Sequence, residues 1–409
     1  MALPRHAQFD QALGRGRKAS YIGLNFKLPS PRRHAACLLL RRLQLSIGFH
    51  KKAAADNRSD TQDRTDHRHR EEQMPIGVGL IGLGMALKPH ILSLRELEAE
   101  GRVRIVGGFS PSQERRLAFS RQWDAPVFDR QEDLLARPDL DLVLILTPPG
   151  THLPIVEAAA AARKHMLVEK PVEISVNRGE ALAAAAEAAG VRCAICLQHR
   201  FRPAALHLKA IIDNGDLGQI LSASASIRWW RDDAYFRQPG RGMKARDGGG
   251  VLLTQAIHTL DLLLHLMGPH KEVVGFASTS PLRAIDTEDV TAAAIRFHGG
   301  AIGVLDATSV ARPGYPERIE IAGTRGSAFL ETLQLTVNRG DGTTEIVGTS
   351  QSGGGGADPM AFDHGPHRAV ITEMLDAVDQ RREPSNNVRS ALQVQRLIEA
   401  LLADAATRA

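Results

Sequence analysis

Short apolar runs alternate with amphipathic segments over residues 76–197 of the chain. Runs such as Ile76–Ile81 and Val103–Phe109 have the length and the aliphatic content of buried strands. Each run precedes a segment with helical periodicity, the first of which covers residues 85–100. Strands that alternate with helices in this way predict an α/β fold with a doubly wound parallel sheet over residues 74–198.

The pattern changes after about residue 200. A helix predicted over 203–214 leads into apolar–polar alternation typical of half-buried strands, separated by turns such as His298-Gly299-Gly300. Residues 353–356 are four glycines, which we interpret as a loop, and helices predicted over 365–381 and 387–405 close the chain. We therefore predict a second α/β domain over 199–409, with an open, mostly antiparallel sheet.

Residues 1–73 carry the excess of basic charge. They contain 15 Lys and Arg against 7 Asp and Glu, whereas the rest of the chain contains 36 against 39. No helical or strand periodicity is sustained there, so a disordered extension, a targeting segment and translation from upstream of the true start all remain open. We favour the last, because Met74 stands directly before the first predicted strand.

The composition of residues 74–409 excludes several classes of protein. Its slight negative charge provides no electrostatic reason for nucleic-acid binding. No stretch reaches the roughly 20 apolar residues that a membrane span needs. The chain has 3 cysteines, too few for a disulfide framework, and Cys193 and Cys196 fall within an apolar run as ordinary strand residues. We expect a cytoplasmic protein without a bound metal ion and without nucleic-acid or membrane partners.

A glycine-rich turn follows the first predicted strand. Residues 82–84 provide the first two glycines of the dinucleotide fingerprint, and Leu87 occupies the place of the third. Two such glycines permit a tight turn and let the backbone approach a pyrophosphate at the start of a helix, as in the Rossmann fold. The candidate cofactor contacts in this turn are Gly82, Gly84, Met85 and Ala86.

The end of the second strand bears on which nicotinamide cofactor is bound. An acidic residue there would bond the ribose 2′-hydroxyl of NAD, but this chain has Ser110 and Ser112, with Arg115 and Arg116 beyond. Hydroxyls and arginines can bind a 2′-phosphate. We therefore favour NADP over NAD, the alternative being that the two arginines form a solvated helix face.

Two further segments follow strands at the same edge of the predicted sheet. Thr147 and Pro148 begin a turn suited to lie beneath the nicotinamide ribose, while His152 could contact cofactor or substrate, or cap the next helix. The tripeptide Glu169-Lys170-Pro171 closes an apolar strand. Because ligands bind at the carboxyl edge of such a sheet, Lys170 is a candidate to bond or activate a reacting hydroxyl.

A second glycine cluster precedes a helix that contains candidate catalytic side chains. Gly248-Gly249-Gly250 leads into an apolar-periodic segment that puts Thr254, His258 and Asp261 on one face. An imidazole, with an ordinary pKa near ~6.5, suits a general base for an alcohol proton. A lone helical histidine is more often structural, and the helix by itself leaves both roles open.

Together these motifs resemble the Gfo/Idh/MocA oxidoreductases, which include glucose–fructose oxidoreductase and inositol dehydrogenase. The resemblance covers roughly residues 74–405 and rests on the glycine turn with His90, on 147–152, on 169–171, on Arg200 with Pro203, and on 248–261. It implies a Rossmann domain, a second domain whose sheet often forms a dimer interface, and assembly as a homodimer or homotetramer. It further implies hydride transfer between NAD(P) and a sugar or cyclitol hydroxyl.

The resemblance also assigns roles to individual residues. Lys170 would orient and polarise the reacting oxygen and would also contact the cofactor, as would Glu169. His258 would be the general base and contact the substrate, as would Arg200. Members of the family often have an aspartate where this chain has Thr254, whose hydroxyl is a candidate catalytic and substrate-binding group but carries no charge. The alternatives are a dehydrogenase of an aromatic dihydrodiol carboxylate and a non-catalytic NADP-binding sensor.

The segment 228–246 interleaves arginines with aromatic residues and ends directly before the second glycine cluster. Arginine binds carboxylates through two parallel hydrogen bonds. We therefore expect Arg241 to contact an anionic small-molecule substrate such as a sugar acid. A contact between subunits, where Arg and Trp are also enriched, is the competing interpretation.

Overall fold

The computed structural model of the protein describes residues 74–350 and 363–408. The predicted tail over 1–73 and the predicted glycine loop over 353–356 lie outside these ranges. Within them the chain forms a parallel sheet and a larger mixed sheet, so the predicted fold class is confirmed.

The first sheet has six parallel strands in the order β3-β2-β1-β4-β5-β6. Its strands are β1 (Ile76–Ile81), β2 (Val103–Phe109), β3 (Val127–Phe128), β4 (Leu142–Ile145), β5 (His165–Val168) and β6 (Cys193–Ile195). Helices cover both faces, which explains why β4 is apolar and buried at every position. The order reverses between β1 and β4, and such a switch point opens a crevice at the carboxyl ends of the strands.

Five helices connect these strands: α1 (Leu87–Ala99), α2 (Gln113–Trp123), α3 (Gln131–Leu135), α4 (His152–Ala161) and α5 (Val176–Ala189). The hydroxyls of Ser112 and Ser175 cap α2 and α5 by accepting backbone N–H bonds. Helix α1 begins two residues later than predicted, because Met85 and Ala86 belong to the turn.

The second sheet has eight strands in the order β14-β13-β12-β11-β7-β10-β9-β8. They are β7 (Ile220–Arg228), β8 (His270–Ser278), β9 (Val290–Phe297), β10 (Ile302–Thr308), β11 (Arg318–Gly323), β12 (Gly326–Glu331), β13 (Gln334–Arg339) and β14 (Thr344–Gly348). Every neighbouring pair is antiparallel except β7 with β10, which is parallel. Strand β14 was not predicted, since it is short and buries no side chain fully.

Six helices follow β6: α6 (Pro203–Asp213), α7 (Asp233–Phe236), α8 (Lys244–Asp247), α9 (Ile257–Met267), α10 (Gly365–Asp379) and α11 (Val388–Ala406). Helix α10 returns to the first sheet, where Val370, Ile371 and Met374 share one apolar core with β1 and α1. The residues after 198 thus complete the core of the first sheet. The predicted boundary between domains at residue 198 stays a prediction.

The helical run Lys244–Met267 covers 24 residues and is apolar enough, by length and composition, to cross a membrane. However, 83% of its most apolar window is buried inside the protein, as in any core helix. One such run is weak support for a membrane span, and we interpret this one as part of the core.

Candidate active site

The glycine turn after β1 depends on the absence of side chains. Gly82 has a φ of +101°, and a Cβ at this position would lie 2.7 Å from the carbonyl of Leu146. A Cβ on Gly84 would meet only the Arg115 guanidinium, at 3.5 Å. The space above Gly84 is therefore open, as the approach of a pyrophosphate requires. Met85 is exposed beside it, and Ala86 directly precedes α1.

Of the polar residues after β2, Ser110 and Arg116 are bonded to neighbouring residues, whereas Arg115 has a charged group that could bind a ligand. Ser110 is buried, and its hydroxyl accepts the N–H of Ser112 at 3.3 Å. Arg116 donates to the Ser110 carbonyl and pairs with Asp129 at 2.8 Å. Within the described residues, no hydrogen bond or ion pair holds the Arg115 guanidinium, which is exposed next to the glycine turn. Arg115 is thus the cation that could reach a 2′-phosphate.

His152 lies in the interior, where it joins two loops at the same edge of the sheet. Its two ring nitrogens lie 2.9 Å from the Thr147 carbonyl oxygen and 3.0 Å from that of Val172. The ring has no exposed surface. This geometry favours a structural role, in which His152 holds the Thr147–Pro148 turn against the loop after β5, over the predicted contact with cofactor or substrate.

Glu169 is held by a histidine from α1. Nε2 of His90 lies 2.6 Å from Oε1 of Glu169, and both groups are shielded from solvent. Burial would raise the pKa of Glu169, but the His90 bond and the neighbouring positive charges outweigh it and hold the pKa well below its usual range. Glu169 is therefore an anion at neutral pH, placed beside Lys170.

Two further residues complete a cluster around Glu169. The ligand atoms of His90, Glu169, Cys196 and His367 lie within 4.8 Å of one another, a grouping that could also hold a metal ion and that the sequence did not predict. Burial and the charge of Glu169 hold the pKa of the Cys196 thiol well above its usual range. Burial raises the pKa of Cys193 to about 12. Both thiols therefore remain protonated, as expected of ordinary strand cysteines.

Lys170 connects the first sheet to the helix that follows the second glycine cluster. Its Nζ donates to the carbonyl oxygen of Thr254 at 3.0 Å. Burial lowers the pKa of Lys170, the charge of Glu169 opposes this, and Arg241 lowers the pKa further. An ammonium whose pKa is lowered in this way is a stronger proton donor than a lysine in water.

A π-helical turn, Leu252–Ala256, presents the Thr254 carbonyl to Lys170. The carboxylate of Glu288 accepts the N–H groups of Gly250 and Leu252 at 3.1 Å each and so anchors the start of this turn. A Cβ on Gly250 would lie 2.0 Å from the Glu288 carbonyl oxygen, which explains the need for glycine. Single π turns of this kind occur often at functional sites.

Thr254 enters the site through its backbone. Its hydroxyl donates to the carbonyl oxygen of Gly250 at 2.7 Å, within its own helical turn. The hydroxyl was the predicted catalytic and substrate-binding group, whereas the group in contact with Lys170 is the carbonyl.

His258 stacks on a second histidine. Its ring centroid lies 4.9 Å from that of His199, with 29° between the ring planes. Arg202 lies 2.6 Å from Nε2 of His199, and because arginine can only donate, the proton of a neutral His199 is on Nδ1. Burial holds the pKa of His258 well below its usual range, and the charge of Lys170 adds to this. His258 is therefore neutral at pH 7 and able to accept a proton.

The side chain of Arg200 is held by partners within the protein. It forms a buried two-point ion pair with Asp261, and its Nη1 donates to the Ser390 hydroxyl at 2.8 Å. The prediction of Arg200 as a substrate contact therefore has no support in the geometry. Asp261, predicted on the same helix face as His258, pairs with Arg200 through its carboxylate and so fixes α9 to the residues after β6.

The site also contains residues that the sequence did not point out. His199, His367 and Glu288 contact or surround predicted residues from distant parts of the chain. Only the neighbourhood of His199 and Arg200 in the sequence could have drawn attention to one of them. Their roles depend on packing between α9, α10 and the first sheet.

Three buried histidines make the folded state sensitive to acid. Burial lowers the pKa of His367 to about 3 and holds the pKa values of His199 and His258 well below 6.5. A histidine in an unfolded chain titrates near ~6.5, so below that pH the unfolded state binds protons that the folded state does not. The stability that depends on these residues is therefore complete above about pH 6.5 and is lost as the pH falls.

We expect the free energy of unfolding to decrease from pH 7.5 to pH 5, with His367 alone contributing about 2 kcal/mol. Urea denaturation at a series of pH values measures this dependence. The His367→Gln variant should show a shallower decrease than the wild type, whereas the exposed His298→Gln variant should match the wild type. If the free energy of unfolding decreased equally in all three proteins, His367 would not be a source of the pH dependence.

The crevice, the glycine turn and the Lys170–His258 pair define a class: a nucleotide-dependent oxidoreductase built on a Rossmann domain. Sequence comparison agrees with this. The profile of the oxidoreductase family with an NAD-binding Rossmann fold matches residues 76–196, and that of the GFO/IDH/MocA C-terminal domain matches 205–329. The chain belongs to the GFO/IDH/MocA oxidoreductase family, and the predicted resemblance is confirmed.

Curated relatives are about 30% identical to this chain over the residues that align with it. An uncharacterised oxidoreductase of Bacillus subtilis, YrbE, is 30% identical over 270 residues, which are 64% of this chain and 75% of that protein. Myo-inositol 2-dehydrogenase of Thermotoga maritima is 29% identical over 280 residues, 64% of this chain and 79% of the relative. Levoglucosan dehydrogenase of Pseudarthrobacter phenanthrenivorans is 28% identical over 295 residues, 62% of this chain and 72% of the relative.

Solved structures show the same fold. The WlbA dehydrogenase from Bordetella pertussis, in complex with NADH and UDP-GlcNAcA, is 27% identical with a TM-score of 0.70, over 82% of this chain and 98% of that one. A levoglucosan dehydrogenase in complex with NADH and levoglucosan has a TM-score of 0.74 at 24% identity, again over 82% and 98%. A nicotinamide cofactor therefore fits the fold of this chain.

Proposed function

We propose that this enzyme transfers hydride between the nicotinamide of NAD(P) and the carbon of a secondary alcohol or ketone in a sugar, cyclitol or sugar acid. The observation that carries the proposal is the Lys170 ammonium at the carboxyl edge of the first sheet, bonded to the helix that contains His258. Relatives named for inositol and levoglucosan support this substrate class.

In the oxidative direction His258 accepts the proton of the substrate hydroxyl, and Lys170 donates a hydrogen bond to the same oxygen. The negative charge that develops on that oxygen is stabilised by the buried ammonium. The cofactor, when bound over Gly82 and Gly84, supplies the hydride acceptor. The products are a ketone, the reduced cofactor and one proton, which His258 releases to solvent. In the reductive direction His258 returns a proton to the oxygen while Lys170 donates its hydrogen bond to the same oxygen.

The full-length protein tests this proposal directly. Absorbance at 340 nm should report turnover of at least one of myo-inositol, scyllo-inositol, levoglucosan or the corresponding sugar acids with NADP or NAD. Cofactor binding measured by calorimetry without turnover of any alcohol or ketone would instead support the sensor alternative. The retention of both Lys170 and His258 argues for the enzyme.

NADP is the cofactor that the residues after β2 favour. Arg115 lies beside Gly84 without a hydrogen bond or ion pair among the described residues, and the positions directly after β2 are Ser110 and Ser112 rather than carboxylates. We expect Arg115→Glu to weaken NADPH binding by about 10- to 100-fold, because it replaces a charged hydrogen bond with a repulsion, and to change NADH binding far less. Calorimetric titration with both cofactors measures this. Arg121→Glu, on the same helix, is the control, and equal losses for NADPH and NADH would contradict the preference.

The exposed face of the second sheet supports the expected homodimer or homotetramer. Val274 of β8 and Val304 of β10 both pair with Ala294 of β9, so they form an apolar row on one face. Both are exposed, as is Phe276 two residues beyond Val274. Apolar rows of this kind are commonly covered by another subunit in assemblies.

We also propose that this enzyme is located in the cytoplasm.

A further inference from the structure

Arg241 lines the pocket that Thr254 and Gly250 also line. Its guanidinium lies 4.7 Å above the Tyr235 ring, and it donates to the Tyr235 hydroxyl at 3.3 Å and to the Gln238 amide oxygen at 2.9 Å. Its Nε is buried and has no hydrogen-bond partner among the described residues. A charged donor in a pocket, held only by neutral groups, is arranged to receive an acceptor from outside the chain.

The carboxylates that line this pocket already have other partners. Asp247 accepts the N–H of Gly242 at 2.7 Å, and Glu288 accepts the two N–H groups that anchor the π turn. Asp289 is bonded to Ser280 and pairs with Arg283 at 3.4 Å. No ion pair joins any of them to Arg241 within the described ranges.

The reacting position lies next to this pocket. Nζ of Lys170 donates to the carbonyl oxygen of Thr254 at 3.0 Å, and Thr254 lines the same pocket as Arg241. The carboxylate of Glu169, the residue next to Lys170 in the chain, is bonded to His90. An anionic substrate would supply the charged acceptor that Arg241 lacks among the described residues, whereas a neutral polyol would not.

We propose that Arg241 binds a carboxylate of the substrate, and that the enzyme acts on a hydroxyl or keto group of a polyhydroxy carboxylic acid. The proposal rests on the hydride transfer proposed above and names its substrate class. The ring of Tyr235 packs against the guanidinium, and its hydroxyl accepts a hydrogen bond from it. The carboxylate would receive hydrogen bonds from the guanidinium, and the reacting hydroxyl would meet Lys170.

Matched pairs of acids and neutral polyols test the proposal. Gluconate with glucitol, and glucuronate with glucose, differ in the presence of the carboxylate. We expect the wild type to turn over one acid with a kcat/KM at least about 10-fold above that of its neutral partner. In Arg241→Gln, kcat/KM for the acid should fall by about 10- to 100-fold, mainly through KM, and that for the neutral partner by less than about 3-fold.

The exposed Arg237 belongs to the same segment, and Arg237→Gln removes the same charge without touching the pocket. This variant should leave both values unchanged. A wild type that prefers the neutral partners, or an equal loss for acid and neutral partner in Arg241→Gln, would overturn the proposal while leaving the hydride transfer intact. Failure of every acid and polyol to react would count against the proposed reaction itself.

Discussion

Replacement of Lys170 by methionine should lower kcat by about 10³-fold while cofactor affinity changes little. The ammonium is buried, it lies at the carboxyl edge of the first sheet, and it donates to the Thr254 carbonyl. Methionine keeps the length of the side chain but cannot donate to a substrate oxygen. The loss should therefore appear at saturating substrate, in the chemical step, rather than in KM.

Steady-state kinetics at 340 nm and calorimetric titration with NADPH separate these effects. Lys271→Met, an exposed change on β8, controls for the loss of a lysine as such. A Lys170→Met enzyme with a kcat within 10-fold of the wild type would exclude Lys170 from the chemistry. A similar loss in Lys170→Arg would show that the position of the donor matters as much as its charge.

Replacement of His258 by glutamine should lower kcat/KM for alcohol oxidation by about 10²- to 10³-fold and remove the acidic limb of the pH profile. In the wild type, burial and the charge of Lys170 hold the pKa of His258 well below 6.5. The neutral base is present above the pKa and is lost below it. Activity should therefore persist through pH 6 and decrease only in more acidic solution, whereas an ordinary histidine would be half protonated near ~6.5.

A profile of kcat/KM from pH 5 to pH 9 measures this limb, with circular dichroism at each pH to confirm that the enzyme remains folded. The His207→Gln variant, altered at a solvent-accessible histidine bonded to Glu345, should keep the wild-type profile. An acidic limb centred at or above pH 6.5 in the wild type would show that another group titrates, or that His258 is not buried during the reaction.

Most of the strands could be predicted because their apolar runs are local properties of the sequence. Strands β1 and β2 agree with prediction at both ends, since a turn residue or a polar residue bounds each run. The elements that were missed, β14, α7 and α8, are short and hold few buried residues. Such segments owe their conformation to neighbours rather than to their own pattern.

The candidate site was predicted unevenly for the same reason. Lys170 and the glycines are recognised from the residues directly around them, and the structure brings Lys170 to the helix of His258. Arg200 and His152 looked equally suitable from the sequence. In the interior, however, Arg200 pairs with Asp261, and the ring nitrogens of His152 contact two backbone carbonyls. A motif shows which groups are available, while their partners come from distant residues that only folding brings near.

The sequence by itself determined the α/β class, the parallel sheet with its glycine turn, and the residue types that can transfer a proton and bind a dinucleotide. These follow from periodicity and from the conformations that glycine allows, which act over a few neighbouring residues. Only the tertiary structure decided that Thr254 offers its carbonyl, that His258 is kept neutral, and that Arg241 lacks a carboxylate partner in the described chain. Burial and charge decide these properties, and both depend on groups that meet across the whole fold.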